Sequence, residues 1–366
     1  MYVLSLEVTK KCNLSCSYCY VDKKVCNTID IEIAKKALDL AIHEALKQND
    51  KKLHIYFIGG EPLVAFDTIK LCIEYVESKH EYNVLNVSYS TTTNGTLLND
   101  AVMDYLIEKK FNLKVSIDGE RDVHNRNRQF ADGKGSYEQV ISKMPLINRF
   151  EKERGVPVHV ANVITDNTKK DFLSSLVHLK NLGFTYIETD LNLDADWSGD
   201  NTLVLLEQLD RAFRFYIDSR NNKEKWYWKF YESYLKAFVS DAIFYPCKAG
   251  LVSVFINNEG QAFPCIETNQ DLNIGNVFDG LDAEKVRKIV SISCTENTEC
   301  LRCKEYKNFR CKACSCININ YLHTRNFFIP PKVKCDITKY VFGYFERIYS
   351  KEQIEILKNF YKKRRY

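Results

Sequence analysis

The chain has 366 residues, 45% of them hydrophobic, and a formal net charge of +4. That is enough to bury a large core and too little charge to imply a nucleic-acid surface. No run approaches the roughly 18 apolar residues of a membrane span, and no basic stretch followed by an apolar core opens the chain, so no membrane partner and a cytoplasmic location are expected.

Taken in chain order, the elements alternate. A strand over 3–8 leads into Cys12-Asn13-Leu14-Ser15-Cys16-Ser17-Tyr18-Cys19, a C-x3-C-x2-C triplet. Three thiolates on one loop can hold a [4Fe-4S] cube and leave one iron open, whereas structural zinc wants four ligands and no fourth Cys or His lies close by. An amphipathic helix over 31–46 follows, with Ile33, Ala37, Leu40, Ala41 and Ala45 on one side. A strand over 53–58 then ends at Gly59-Gly60-Glu61-Pro62, which reads either as a strand-to-helix turn or as a backbone that approaches a ligand closely and receives an ammonium.

Helix 66–78, strand 85–92, helix 100–109, strand 113–117, helix 137–148, strand 157–164, helix 170–182 and strand 186–191 continue the pattern. Thr93-Asn94-Gly95 ends the third strand, and Ser116-Ile117-Asp118-Gly119 ends the fourth and leads towards Arg128. Six strands alternating with helices predict an α/β fold with a parallel sheet, whose motifs gather at the C-terminal edge of the strands. A helical stretch over 196–243, rich in Trp226, Trp228, Phe230 and Tyr231, reads as a packing surface between two lobes.

From about residue 244 short strands, turns and cysteines take over, and metal would hold this part together in place of a large core. The ending returns to helix over 337–366, with Ser350 and Gln353 spaced as a capping box. The 14 cysteines of a chain placed in a reducing compartment argue for metal ligation over disulfides. Cys72, on the helix over 66–78, reads as an inert core thiol.

The triplet, with the segments that follow it, resembles the signature of the radical S-adenosylmethionine (SAM) enzymes. The resemblance implies a partial (β/α)6 TIM-like barrel over 1–195, in which Cys12, Cys16 and Cys19 bind a [4Fe-4S] cluster and SAM chelates its open iron. It implies that Gly59, Gly60, Glu61 and Pro62 meet the SAM amino group, Ser116 the ribose and Arg128 the carboxylate. Tyr18, Leu193, Asn162 and Val163 would lie towards the adenine, and Asn94 would stand at the same edge.

Cys247-x12-Gly260-x4-Cys265, then Cys300, Cys303, Cys311, Cys314, Cys316 and Cys335, resemble the SPASM extension of that group, over 244–336. This implies two auxiliary [4Fe-4S] clusters. Cys300, Cys303, Cys311 and Cys335 would hold the distal one. Cys247 and Cys265, with Cys314 or Cys316 or both, would hold the proximal one, which is closed or open accordingly. Zinc ribbons are the alternative reading of the paired cysteines.

The group acts mostly on peptides, so a ribosomally made precursor peptide, a flavodoxin- or ferredoxin-type electron donor and a separate leader-peptide recognition protein are the implied partners. Sulfatase-maturating members carry an Asp, a Tyr and a Gln at positions that here are Ile266, Val21 and Ile58. The expectation is therefore a maturase that installs a thioether, C–C or ether crosslink, with formylglycine formation or epimerisation as alternatives. Glu267 and Asp118 are conceivable bases. Outside this class stand an iron–sulfur electron carrier and a zinc-stabilised interaction protein.

Overall fold

The computed structural model describes residues 1–21, 27–239, 248–292, 298–309, 311 and 316–363. The chain divides into two units, one of residues 1–161 and 248–290, the other of residues 162–247 and 291–366.

The first unit is built on strands β1 (Tyr2–Thr9), β2 (Lys52–Gly59), β3 (Asn86–Thr93), β4 (Asn112–Ser116) and the start of β5 (His159–Ile164). Each pairs in parallel with the next, in register from Tyr2↔Leu53 through Ser116↔Ala161. Helices Ile31–Lys47, Phe66–Ser78, Asp100–Glu108 and Met144–Arg154 carry the chain back between strands. The first of these starts on Asp30, whose carboxylate accepts from the N–H groups of Glu32 and Ile33. It buries Ala34, Ala37, Leu38, Ala41, Ile42 and Ala45, a face turned by about one residue from the expected one.

Two local differences from the sequence-based expectation have simple causes. The expected helix over 137–148 is two helices, Tyr137–Ile141 and Met144–Arg154, because Pro145 sits in the first turn of the second, where its missing N–H costs nothing. In place of a plain connection after β4, residues Arg121–Asn127 form a short helix.

The later short strands also join this unit. With β6 (Tyr186–Leu191) and β7 (Tyr227–Trp228) belonging to the second unit, the next is β8 (Ser253–Ile256), which pairs in parallel with β1. β9 (Gln261–Phe263), β10 (Gly275–Asn276) and β11 (Gly280–Leu281) then add antiparallel to β8 in turn. The strand order is β11-β10-β9-β8-β1-β2-β3-β4-β5, an open succession as a partial barrel requires. Gly260 turns the chain between β8 and β9 at φ +82°, and a Cβ there would stand 2.9 Å from Val277. The glycine of the C-x12-G-x4-C spacing is thus a hairpin requirement.

In the second unit β5 finishes and β6 and β7 follow it. Helices Asp200–Asn221 and Lys229–Phe238 flank β7. The expected lobe-to-lobe aromatic surface is instead a core: Phe213 packs 5.6 Å from Trp228 and 6.0 Å from Phe345, and Tyr231 lies 5.3 Å from Phe345, all in this unit. Helices Lys332–Ile348 and Lys351–Lys363 end the chain. The expected capping box forms between them, Ser350 N–H donating to Gln353 Oε1 at 2.8 Å and Gln353 N–H to Ser350 Oγ at 3.2 Å. Among the described residues no helix is long and apolar enough to cross a membrane.

Candidate active site

Because β1 to β4 are parallel, their C-terminal ends deliver the Cys12 loop, Gly59 to Pro62, Asn94 and Ser116 to Asp118 to one edge. Gly60 N–H donates to Thr9 O and Glu61 N–H to Lys11 O, both at 2.8 Å. A Cβ on Gly59 would stand 2.1 Å from Thr9 O, and one on Gly60 2.4 Å from Lys11 O. The two glycines therefore exist so that two backbones can touch. They press the β2 turn against the chain entering the cysteine loop.

Glu61 is 1% exposed and fully occupied. Its carboxylate accepts from Asn94 N–H and Thr93 Oγ1, both at 2.7 Å, and from Leu63 N–H at 3.1 Å, which makes it the cap of the Pro62–Ala65 turn. Burial raises its pKa, and the hydrogen bonds from Asn94 and Thr93 oppose the rise. Asn94 then turns to the loop: its Nδ2 donates to Asn13 Oδ1 at 2.9 Å and reaches Cys12 Sγ at 3.9 Å. Leu14 N–H donates to the same sulfur at 3.3 Å.

The far side of the loop is strapped to the chain that follows the Arg121–Asn127 helix. Ser15 N–H donates to Gln129 O at 2.6 Å, Ser17 N–H to Asn127 O at 2.9 Å and Ser17 Oγ to Asn127 Oδ1 at 2.9 Å. Leu14 and Phe130 form an antiparallel bridge. Although Cys12 is exposed, loss of water around its thiol, then negative charge at Glu61, Cys16 and Cys19, raises its pKa to about 11, with Leu14 N–H opposing. Among the described residues no three His, Cys, Asp or Glu side chains form a ready cage for a single ion. Three neighbouring thiols, one already holding two N–H donors, are the donor set a cluster uses, and such donors set its potential.

Asp118, 0% exposed, is the hub of the next segment. Tyr18 Oη donates to its carboxylate at 2.8 and 3.0 Å, and Arg128 Nε lies 3.1 Å from Oδ1. The Arg128 guanidinium also stands 5.4 Å from the centre of the Tyr18 ring. Asp118 N–H donates to His124 Nδ1 at 3.3 Å, so the proton is on Nε2 and goes to Ser136 Oγ at 3.0 Å, which donates onward to Arg128 O at 2.8 Å. Burial, then the Arg128 charge, lowers the His124 pKa to about 3, so the ring is neutral. This wiring places Asp118 as a counter-ion and Tyr18 as its partner. Ser116 is buried at the end of β4 beside them in sequence.

The other expected residues are dispersed. Cys265 lies on the loop after β9 of the first unit, its thiol pointing to Glu267 O at 3.5 Å, and Glu267 itself is exposed. Asn162, Val163 and Leu193 belong to the second unit; Asn162 Oδ1 accepts from Thr189 Oγ1 at 2.8 Å, itself the acceptor of Trp228 Nε1 at 2.9 Å. In that unit burial, then negative charge at Cys300 and Cys303, raises the Cys335 pKa to about 11. Cys311 and Cys335 both act on Tyr234, so the four expected distal ligands share one neighbourhood. Cys316 precedes the Ile317–Thr324 helix, while Cys247 and Cys314 lie outside the described residues.

Asn13, Asn127 and Gln129 carry no local sequence signal. Only their long-range partners mark them.

Residues 6–179 match the Radical SAM superfamily. Among curated proteins the chain is similar to an uncharacterized protein, MJ0907, of Methanocaldococcus jannaschii, 31% identical over 51% of this chain and 62% of that one. A cysteine-type anaerobic sulfatase-maturating enzyme of Clostridium novyi is 28% identical over 51% of this chain and 50% of its own. The radical SAM cyclopropyl synthase TigE of Paramaledivibacter caminithermalis is 24% identical over 82% and 65% respectively. The chain thus spans between half and two thirds of these relatives' lengths. Among solved structures, native anSMEcpe with bound AdoMet and Cp18Cys peptide superposes with a TM-score of 0.77 at 20% identity, covering 98% of this chain and 99% of that one. Residues 6–179 form a radical SAM domain.

Proposed function

We propose that the chain is a radical SAM peptide maturase that installs a thioether, C–C or ether crosslink in a ribosomally synthesised peptide. The observation that carries this reading is the Cys12–Cys19 loop, pinned by Gly60 and Glu61 on one side and by Asn127 and Gln129 on the other, with two N–H donors on Cys12. In this reading Cys12, Cys16 and Cys19 hold the first [4Fe-4S] cluster. When bound and reduced by an external one-electron donor, the cluster and SAM would supply radical hydrogen-abstraction chemistry at this edge.

The chain's own residues bind and orient. The Gly59 to Pro62 backbone receives the SAM ammonium, because the Glu61 carboxylate is already committed to Asn94, Thr93 and Leu63. Arg128 turns one edge to Asp118 and keeps further N–H donors of its planar fork for the SAM carboxylate. Ser116 serves the ribose, Asn94 supports the loop, and Tyr18 bounds the adenine. Cys300, Cys303, Cys311 and Cys335 hold one auxiliary cluster, and Cys265 is a ligand of the other.

Support for a peptide substrate comes from the sulfatase-maturating and cyclopropyl-synthase relatives and from the peptide present in the superposing structure. The C. novyi relative also favours a second reading, sulfatase maturation. Anaerobic reconstitution followed by iron and sulfide analysis and assay of 5′-deoxyadenosine tests the radical chemistry, and absence of that product overturns it. Mass spectrometry of short peptides encoded beside the gene, after co-expression, tests the product: loss of two hydrogens is expected, whereas formylglycine in a sulfatase peptide selects the second reading.

A further inference from the structure

Val21, Ile58 and Ile266 are far apart in sequence. In the first unit they line one cavity of about 320 Å3, together with Phe255 and Phe263 on the apolar side and Glu7, Tyr20, Asn257, Thr268, Asn269 and Gln270 as polar lining. One side of it is apolar: Ile58, Phe255 and Phe263 form one buried cluster, against which Ile266 packs, and the two phenyl rings stand 6.0 Å apart. The charged groups at its wall are already engaged. Glu7 accepts from Asn258 N–H at 3.1 Å, and Lys10 lies 3.5 Å from Glu259.

The cavity adjoins the proposed radical site through the chain itself, since Gly59 and Val21 also line it, one residue before Gly60 and two after Cys19. Its volume is at the lower limit of small-molecule sites, suited to one side chain with its adjoining backbone. A charged side chain entering it would lose its water against Ile58, Ile266 and Phe263, and among the described residues no uncommitted counter-charge lines the wall to meet it.

Resting on the peptide-maturase reading, we propose that this cavity is the substrate specificity pocket and that it seats an uncharged apolar side chain of the peptide, aliphatic or aromatic. The substrate residue held beside the radical site is then not an acidic one.

The test uses the full chain and four probes, the N-acetyl methylamides of leucine, phenylalanine, serine and aspartate, titrated by saturation-transfer NMR. The leucine and phenylalanine probes should bind roughly ten-fold more tightly than the other two, the discrimination an apolar pocket of this kind supports. Ile266→Asp and Ile58→Gln should each erase that preference, with a cooperative thermal transition confirming that the variant folds. If either variant does not fold, the comparison among probes on the unaltered chain decides alone. Equal or tighter binding of the polar probes, or no binding of the apolar ones, overturns the proposal. Assaying 5′-deoxyadenosine on the same preparation separates the two readings. Cleavage of SAM without an apolar preference sinks the pocket only, and an apolar preference without cleavage sinks the maturase reading only.

Discussion

Replacing Gly60 by alanine tests whether the β2 turn exists to hold the cysteine loop. The new Cβ would stand 2.4 Å from Lys11 O, 2.7 Å from Lys10 O and 2.8 Å from Lys11 C, all backbone atoms that no rotamer change can move. Relief requires the loop to back away, which breaks the bonds from Gly60 N–H to Thr9 O and from Glu61 N–H to Lys11 O. Two such bonds contribute about 1–3 kcal/mol together, and overpacking adds about 1–3 kcal/mol, so Gly60→Ala should destabilise the chain by roughly 2–6 kcal/mol. Cys12 is displaced in the same movement. Urea denaturation of the apoprotein and iron analysis after reconstitution measure the two effects. Gly133→Ala is the control, because its Cβ would meet nothing within 4 Å; it carries only the left-handed strain of about 1–2 kcal/mol and should retain its iron. If Gly60→Ala unfolds at the parental urea concentration and loads iron normally, the account of the glycine pair is wrong.

Cys12→Ala should abolish iron loading at the first site and 5′-deoxyadenosine formation, whereas Cys72→Ala, at a thiol with no exposure on the Phe66–Ser78 helix, should cost about 1 kcal/mol of stability and keep deoxyadenosine formation intact. Asp118→Ala leaves the buried Arg128 charge and the Tyr18 hydroxyl without their partner; a loss of about 3–5 kcal/mol by chemical denaturation is expected, and a loss below about 1 kcal/mol would show that the pair is not coupled. His124 has a folded pKa of about 3 against an ordinary value of 6.5. As pH falls below 6.5 the unfolded chain therefore binds the proton first, and stability declines until pH nears 3, by at most about 5 kcal/mol in total and about 2 kcal/mol by pH 5. Measured between pH 7.5 and 5, that slope should flatten in His124→Asn, and an unchanged slope would refute the assignment.

Much of the site is legible in the sequence because its signals are local. The C-x3-C-x2-C spacing is a property of eight consecutive residues, and the alternation of strand and helix that carries it to a sheet edge is a matter of periodicity. Glu61 and Pro62 show where a local reading stops short. The turn chemistry is visible, yet the purpose of the glycines is not, since the atoms they approach belong to Thr9 and Lys11, about fifty residues earlier. The same holds for Trp228 and Tyr231, whose burial partners Phe213 and Phe345 make them a core of their own unit.

The sequence by itself determined that three thiols follow the first strand, that glycine, threonine–asparagine and serine–aspartate turns follow the next three, and that parallel pairing would bring them to one edge. Only the tertiary structure decided which backbone strap steadies the loop, which carboxylate Tyr18 and Arg128 share, and that residues 21, 58 and 266 meet. The reason is physical. Spacing and propensity act within a few bonds, but contacts between distant segments depend on strand order, and here β8 comes back beside β1 after some 250 residues, with β9 beyond it, to close the pocket.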